Sequence, residues 1–144
     1  MLPAMKYALL LFITSTVSAG ETWHVPDECE TIQAAIDAAS DGDEILVASG
    51  VWKETIDLSG KTIYLHSEQG AEKTVIHGGQ QGSVVTCTAN ANSTIEGFTI
   101  RGGEAEHGGG VYLLDASPTF RQRMIDFNTA KQGGGVYVRN GTPV

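Results

Sequence analysis

Cysteine is scarce in this chain: its 144 residues hold two, Cys29 and Cys87. There is no Cys-x-x-Cys pair, and the four histidines (His24, His66, His77 and His107) form no i, i+4 pair. A zinc site of the usual spacing is therefore unsupported, and no metal ligand set is expected. Basic side chains are also few, nine Lys and Arg against seventeen Asp and Glu, for a net charge of −8. That balance argues against nucleic acid, whose binding is driven by cations neutralising phosphates, and against anionic membranes. It leaves room for polysaccharide, even an anionic one, because a local basic groove can exist on an acidic protein. Strand-like segments follow one another with no helical stretch between them, which excludes βαβ units. Gly108-Gly109-Gly110 is followed by no Lys-Ser/Thr and so is not a phosphate loop. Asp41-Gly42-Asp43-Glu44 lacks the spacing of a calcium-binding EF-hand and reads as a helix-to-strand turn.

Long apolar runs are limited to one, Tyr7 to Ile13, well short of the roughly 20 residues that a membrane-spanning helix needs. It follows Lys6 and precedes the small residues Val17-Ser18-Ala19. Basic, apolar, then small is the order of a secretory signal peptide. The expectation is a signal over residues 1–19 and one domain over 20–144, secreted or at the cell surface, with no membrane span after cleavage. Export would permit a disulfide between Cys29 and Cys87; the alternative is one surface thiol and one core residue.

What the chain does have is an internal repeat. Gly108-Gly109-Gly110-Val111-Tyr112 recurs 25 residues later as Gly133-Gly134-Gly135-Val136-Tyr137. The match holds in register: Asp115 answers Asn140, Ser117-Pro118 answers Thr142-Pro143, Thr94-Ile95 answers Thr119-Phe120, and Ile100 answers Ile125. Short apolar stretches separated by Gly, Asn, Asp and Pro give two or three strands per unit. Units of this length stack. The fold class expected is all-β, a right-handed parallel β-helix with coils over about 44–144 and equivalent residues above one another. Weaker coils are read at Glu44–Val47 with Thr55–Leu58, Lys61–His66 with Thr74–His77, and Ser83–Thr88 with Thr94–Ile100. The same register puts Arg123 where the previous coil has Phe98. An inward Arg is costly unless paired, so the register shifts there, the strand faces differently, or the coil is decaying.

One segment is helical. Ile32, Ala35, Ile36 and Ala39 share a face, Glu30 or Thr31 opens the helix, and Asp41-Gly42-Asp43 stops it, so an amphipathic capping helix is expected over about 30–40. Such a cap covers the bare edge of a first coil. Thr31 to Ala39, followed by Asp41-Gly42-Asp43 and Ile45-Leu46-Val47, resembles the capping helix and first strand of pectate-lyase-like parallel β-helix proteins. Ser49-Gly50-Val51-Trp52-Lys53-Glu54 resembles that family's Pro-Gly-x-Tyr-x-Glu turn, departing at Ser49 and Trp52. The later coils resemble its β-helix repeats, and Ile125-x-x-Asn128-x-Ala130-x-x-Gly133-Gly134 is similar to repeats of polymorphic outer-membrane adhesins.

The resemblance implies the fold more than the activity, since one fold hosts many functions. Two functions are expected. The first is a non-catalytic polysaccharide-binding or adhesin-type scaffold, with Trp52, Tyr112 and Tyr137 as the candidate carbohydrate-binding aromatics and Tyr64 as a further member of the same sugar-stacking surface if they face outward. The second is the N-terminal portion of a polysaccharide lyase or glycoside hydrolase. The resemblance implies for a lyase that carboxylates hold calcium while Arg or Lys takes the proton beside a uronate carboxylate. The candidates are Asp115 and Asp126 with Arg101 and Arg121, and further cations at Arg123 and Lys131. Without that activity no cofactor is expected. The last coil breaks off at Thr142-Pro143-Val144 with no capping segment. Either the chain continues downstream or copies associate end to end, because an open coil is an aggregation hazard.

Overall fold

A computed structural model describes residues 20–89 and 92–144; the expected signal peptide lies outside the described residues. Fifteen strands and one helix follow one another as β1 (Thr22–Val25), α1 (Ile32–Ala38), β2 (Glu44–Val47), β3 (Gly50–Lys53), β4 (Ile56–Asp57), β5 (Tyr64–Ser67), β6 (Thr74–His77), β7 (Val85–Thr88), β8 (Thr94–Glu96), β9 (Thr99–Arg101), β10 (Glu104–His107), β11 (Val111–Leu114), β12 (Thr119–Arg121), β13 (Met124–Ile125), β14 (Thr129–Gln132) and β15 (Val136–Arg139). All the pairings between them are parallel. Sheet one runs β1-β2-β5-β8-β12, sheet two β3-β6-β9-β13 and sheet three β4-β7-β11-β15; β10 and β14 form a two-stranded strip. The chain is thus a parallel β-solenoid, each coil contributing one strand to each of three sheets.

The 25-residue register is the register of the strands. Val111 pairs with Val136 and Tyr112 with Tyr137; Thr94 pairs with Thr119, Ile95 with Phe120 and Ile100 with Ile125. Alternation then sends every second side chain inward. Ile45, Leu65, Ile95 and Phe120 form one buried column, and Ile56, Val85 and Val111 another. Cys87 lies inside beside Leu113, a free thiol fully buried and not joined to Cys29. Burial pushes its pKa up to about 12, since the thiolate would have to leave water.

Several segments differ from the expectation. Ser49–Glu54, read as a turn, contains strand β3, and β1 adds a rung ahead of the helix. The stretches Thr94–Ile100 and Thr119–Ile125 are each two strands meeting at a corner. Gly97 (φ 81°) and Gln122 (φ 43°) make those corners in the left-handed region, one above the other in the register. Because the register does not shift, Arg123 stays at the position of Phe98; it is exposed, whereas Phe98 is fully buried. No strand of the described residues stacks on the far side of β12 and β13, so the guanidinium reaches water and is not forced inside.

The helix is short, seven residues, and could not persist alone. Its ends are held by the coils below. Thr31 Oγ1 accepts from the Ala34 N–H as the N-cap, and the Glu54 carboxylate accepts from the Ile32 and Gln33 N–H groups at 3.0 and 2.9 Å. At the other end, the Lys61 ammonium donates to the carbonyls of Ile36, Asp37 and Ala39 at 2.7–2.9 Å. The orphan groups of both termini are thereby satisfied by charges of the sign the helix dipole favours. Asp43 explains the Asp-Gly-Asp turn: nine-tenths buried, it accepts from the Glu21 and Ser40 N–H groups and the Trp23 indole N–H. A carboxylate so engaged is a turn organiser.

Candidate functional site

Outward positions of a β-solenoid form columns too, so residues far apart in sequence become neighbours. On the outer face of sheet one the columns are Thr22, Glu44, Tyr64, Thr94 and Thr119, and beside it His24, Leu46, His66, Glu96 and Arg121. Tyr64 and His66 project from the same side of β5, and their rings stack face to face, 4.2 Å between centroids and 3° from parallel. Each ring holds a carboxylate from a neighbouring strand. His66 Nε2 lies 2.5 Å from Glu44 Oε1 on β2, and the Tyr64 hydroxyl donates to Glu96 Oε1 on β8 at 2.6 Å. Arg121 stands opposite Glu96 on the next strand. The hydrogen bond to Glu96 raises the Tyr64 pKa, with smaller upward contributions from burial and the charges of Glu96 and Glu44; Arg121 pulls it the other way. The phenol therefore stays a neutral donor. Tyr64 is 36% exposed.

Sheet two carries Lys53, His77 and Arg101 in one outward column. Arg101 is engaged by Asp126 through two bonds of 2.9 and 2.8 Å and lies over the Phe127 ring at 5.2 Å. Sheet three presents Tyr112 and Tyr137, stacked at 5.7 Å and 3° from parallel, with His107 tilted against Tyr137 at 4.8 Å. Their faces are turned toward one another along the solenoid axis, so this ladder presents edges and hydroxyls. It has the form of a cross-strand stabilising pair.

The candidate residues are therefore distributed over three faces. Arg101 and Asp126 come together as a bidentate ion pair. Arg121 joins Glu96 on sheet one, away from them, and Asp115 is exposed at the left-handed corner after β11 (φ 53°). Arg123 is exposed at its corner, and Lys131 pairs with Glu106 at 2.6 Å. Trp52 lies in the column of Ile76 and Ile100, packs against the core and donates its indole N–H to the Ala48 carbonyl, while Tyr112 and Tyr137 face outward. Among the described residues no group of three His, Cys, Asp or Glu is arranged to hold a metal ion.

In the sequence Glu44 reads only as part of a helix-to-strand turn and a coil, His66 only against a zinc site and within a coil, Glu96 only within a coil, and Tyr64 only as one more aromatic. The usable signal is the alternation of Tyr64-Leu65-His66-Ser67, which puts two ring side chains on one face around the buried Leu65. Chemically, the cluster offers two anchored carboxylates, a phenol, an imidazole and a guanidinium. These are the groups that meet sugar hydroxyls, and the exposed phenol ring can meet the apolar face of a pyranose. Comparison with protein-family models, with curated proteins and with solved structures returns no match for this chain.

Proposed function

We propose that this β-solenoid is a polysaccharide-binding scaffold of pectate-lyase-like architecture, secreted or held at the cell surface, and that it binds glycan on the outer face of sheet one without acting on it. The observation that carries the reading is the Tyr64–His66 stack with a carboxylate anchored at each ring. Binding modules for sugars need a ring face and fixed acceptors on a rigid surface, and a sheet paired on both sides supplies the rigidity. The order of basic, apolar and small residues ahead of Gly20 supports export. The test is titration of the chain with soluble polysaccharides by calorimetry, alongside Tyr64→Ala. Tyr64 is on the surface, so the variant keeps the fold; its affinity is expected to fall at least about tenfold, the effect of losing about 1.4 kcal/mol. Equal affinity of the two proteins, or no binding by either, overturns the reading.

A second reading, a polysaccharide lyase or glycoside hydrolase, draws support from Glu44 and Glu96 sharing one half-exposed strand face with Arg121. Under that reading calcium is the expected cofactor. Unsaturated products formed from uronate polymers in the presence of calcium, and abolished by a chelator, would establish it; unchanged polymer after prolonged incubation rules it out for this chain.

A further inference from the structure

We infer that the glycan taken by the outer face of sheet one carries free amino groups: the face selects a cationic amino-sugar polymer over its neutral and uronate counterparts. This rests on the reading that Tyr64 and its neighbours bind glycan, and goes beyond it in naming the ligand's chemistry. The two carboxylates are the starting point. Glu44 and Glu96 come from the strands on either side of β5, and each has one oxygen engaged by a ring of the Tyr64–His66 stack. The second oxygen of each takes no hydrogen bond from the described residues. The ring contact therefore orients each carboxylate and leaves an acceptor for a ligand. A protonated amine satisfies such an oxygen with a charge-assisted bond, roughly twice as strong as the bond a sugar hydroxyl would make.

The surrounding charge points the same way. Residues 20–60, which build the helix and the first rungs above β5, hold ten Asp and Glu against one Lys. Glu21 and Asp41 are tied to the strands that carry this face: the Glu21 carbonyl accepts from the Glu44 N–H, and the Asp41 carboxylate accepts from the N–H of Thr62, just before β5. Arg121, at the far side of Glu96, opposes this field, and the Lys61 ammonium is engaged by the helix carbonyls. A uronate approaching Tyr64 would set its carboxylate against those of Glu44 and Glu96. An ammonium group is drawn to both and also to the exposed face of the phenol ring. Two of the cations expected to serve a uronate are engaged away from this face, Arg101 in its pair with Asp126 and Lys131 in its pair with Glu106.

The experiment is a titration of the full chain with three oligosaccharides of equal length: a glucosamine oligomer at a pH where its amines are protonated, the same oligomer fully N-acetylated, and a uronate oligomer. The glucosamine oligomer is expected to bind at least about tenfold more tightly than either of the others, with an affinity that falls as salt rises. In Glu44→Gln/Glu96→Gln, which keeps the shape and removes both charges, that preference is expected to disappear while Tyr64 still supports weak binding. Circular dichroism of the variant, and the two single variants, guard against misfolding. Equal or tighter binding of the N-acetylated or uronate oligomer overturns this inference and leaves the glycan-binding reading standing. Binding of none of the three overturns both.

Discussion

The coils at the two ends of this solenoid have the same strand order and nearly opposite character. Around β2 and β5 the inward side chains Ile45, Val47 and Leu65 are fully buried, the helix covers the end, and acids outnumber bases ten to one over residues 20–60. In the coil formed by β12 to β15, Val136 and Val138 are 41% and 39% exposed, Met124 is 48% exposed, and Arg121, Arg123, Lys131 and Arg139 face a single acid, Asp126. The strand pattern is the same in both. What differs is the number of neighbours: β5, β8, β6, β9, β7 and β11 each have a partner on both sides, whereas β12, β13 and β15 have one. A repeat can thus keep its register with only half of its burial, because register is carried by backbone pairing and corner geometry, and burial by what stacks beyond.

The sharpest way to break the comparison is to cut the same register position in the last coil and in the covered coil that precedes it. Phe98→Ala, which empties a fully buried site, is expected to cost about 3–5 kcal/mol in urea denaturation. Arg123→Ala, 25 residues on, is expected to change stability by no more than about 0.5 kcal/mol. Similar costs at the two positions would mean that the last coil is closed in solution.

A smaller effect separates the covered end from the rest. Lys61→Met deletes the ammonium that reaches three carbonyls at the helix C-terminus, with an expected loss of about 1.5–3 kcal/mol. Hydrogen exchange should speed up at the Ala35 and Ala39 amides, and far less at Val111 or Leu113. Uniform acceleration would show that the helix and the coils unfold as one unit.

The smallest effect sits at the border between acidic and basic coils, where Tyr64 feels Glu96 and Arg121 in opposite directions. Ultraviolet titration of Glu96→Gln is expected to bring the Tyr64 pKa down toward its ordinary 10.0, and Arg121→Gln to raise it further. The raised value means that the fold holds the phenol proton more tightly than the unfolded chain does. Its contribution to stability is complete below pH 10.0 and lost as pH rises through the folded value. A Tyr64 titration unmoved by Glu96→Gln would remove the hydrogen bond as its cause.

Legibility in the sequence followed regularity. The Gly-Gly-Gly-Val-Tyr repeat and the i, i+3, i+4, i+7 face of Ile32 to Ala39 were visible because one spacing covers them. Asn128 shows why that pattern is demanding: its side chain accepts from the Gly103 N–H and donates to the Ile100 carbonyl, and a Cβ at Gly110 would lie 2.8 Å from its Nδ2. The sheet-one cluster was hidden because its coils differ in length. The paired residues Glu44 and Tyr64 lie 20 apart, Tyr64 and Thr94 30 apart, and Thr94 and Thr119 25 apart. No single period brings these residues together.

By itself, then, the sequence determined that short strands with glycine corners would stack as a β-solenoid beneath a capping helix, since hydrophobic alternation and turn chemistry are local properties. It also set the acidic balance. The tertiary structure alone decided that Tyr64 and His66 would hold Glu44 and Glu96, that Arg101 would be spent on Asp126, and that Trp52 would turn inward. Those pairings depend on which rung lies above which, and loops of unequal length set that order only when the coils close on one another.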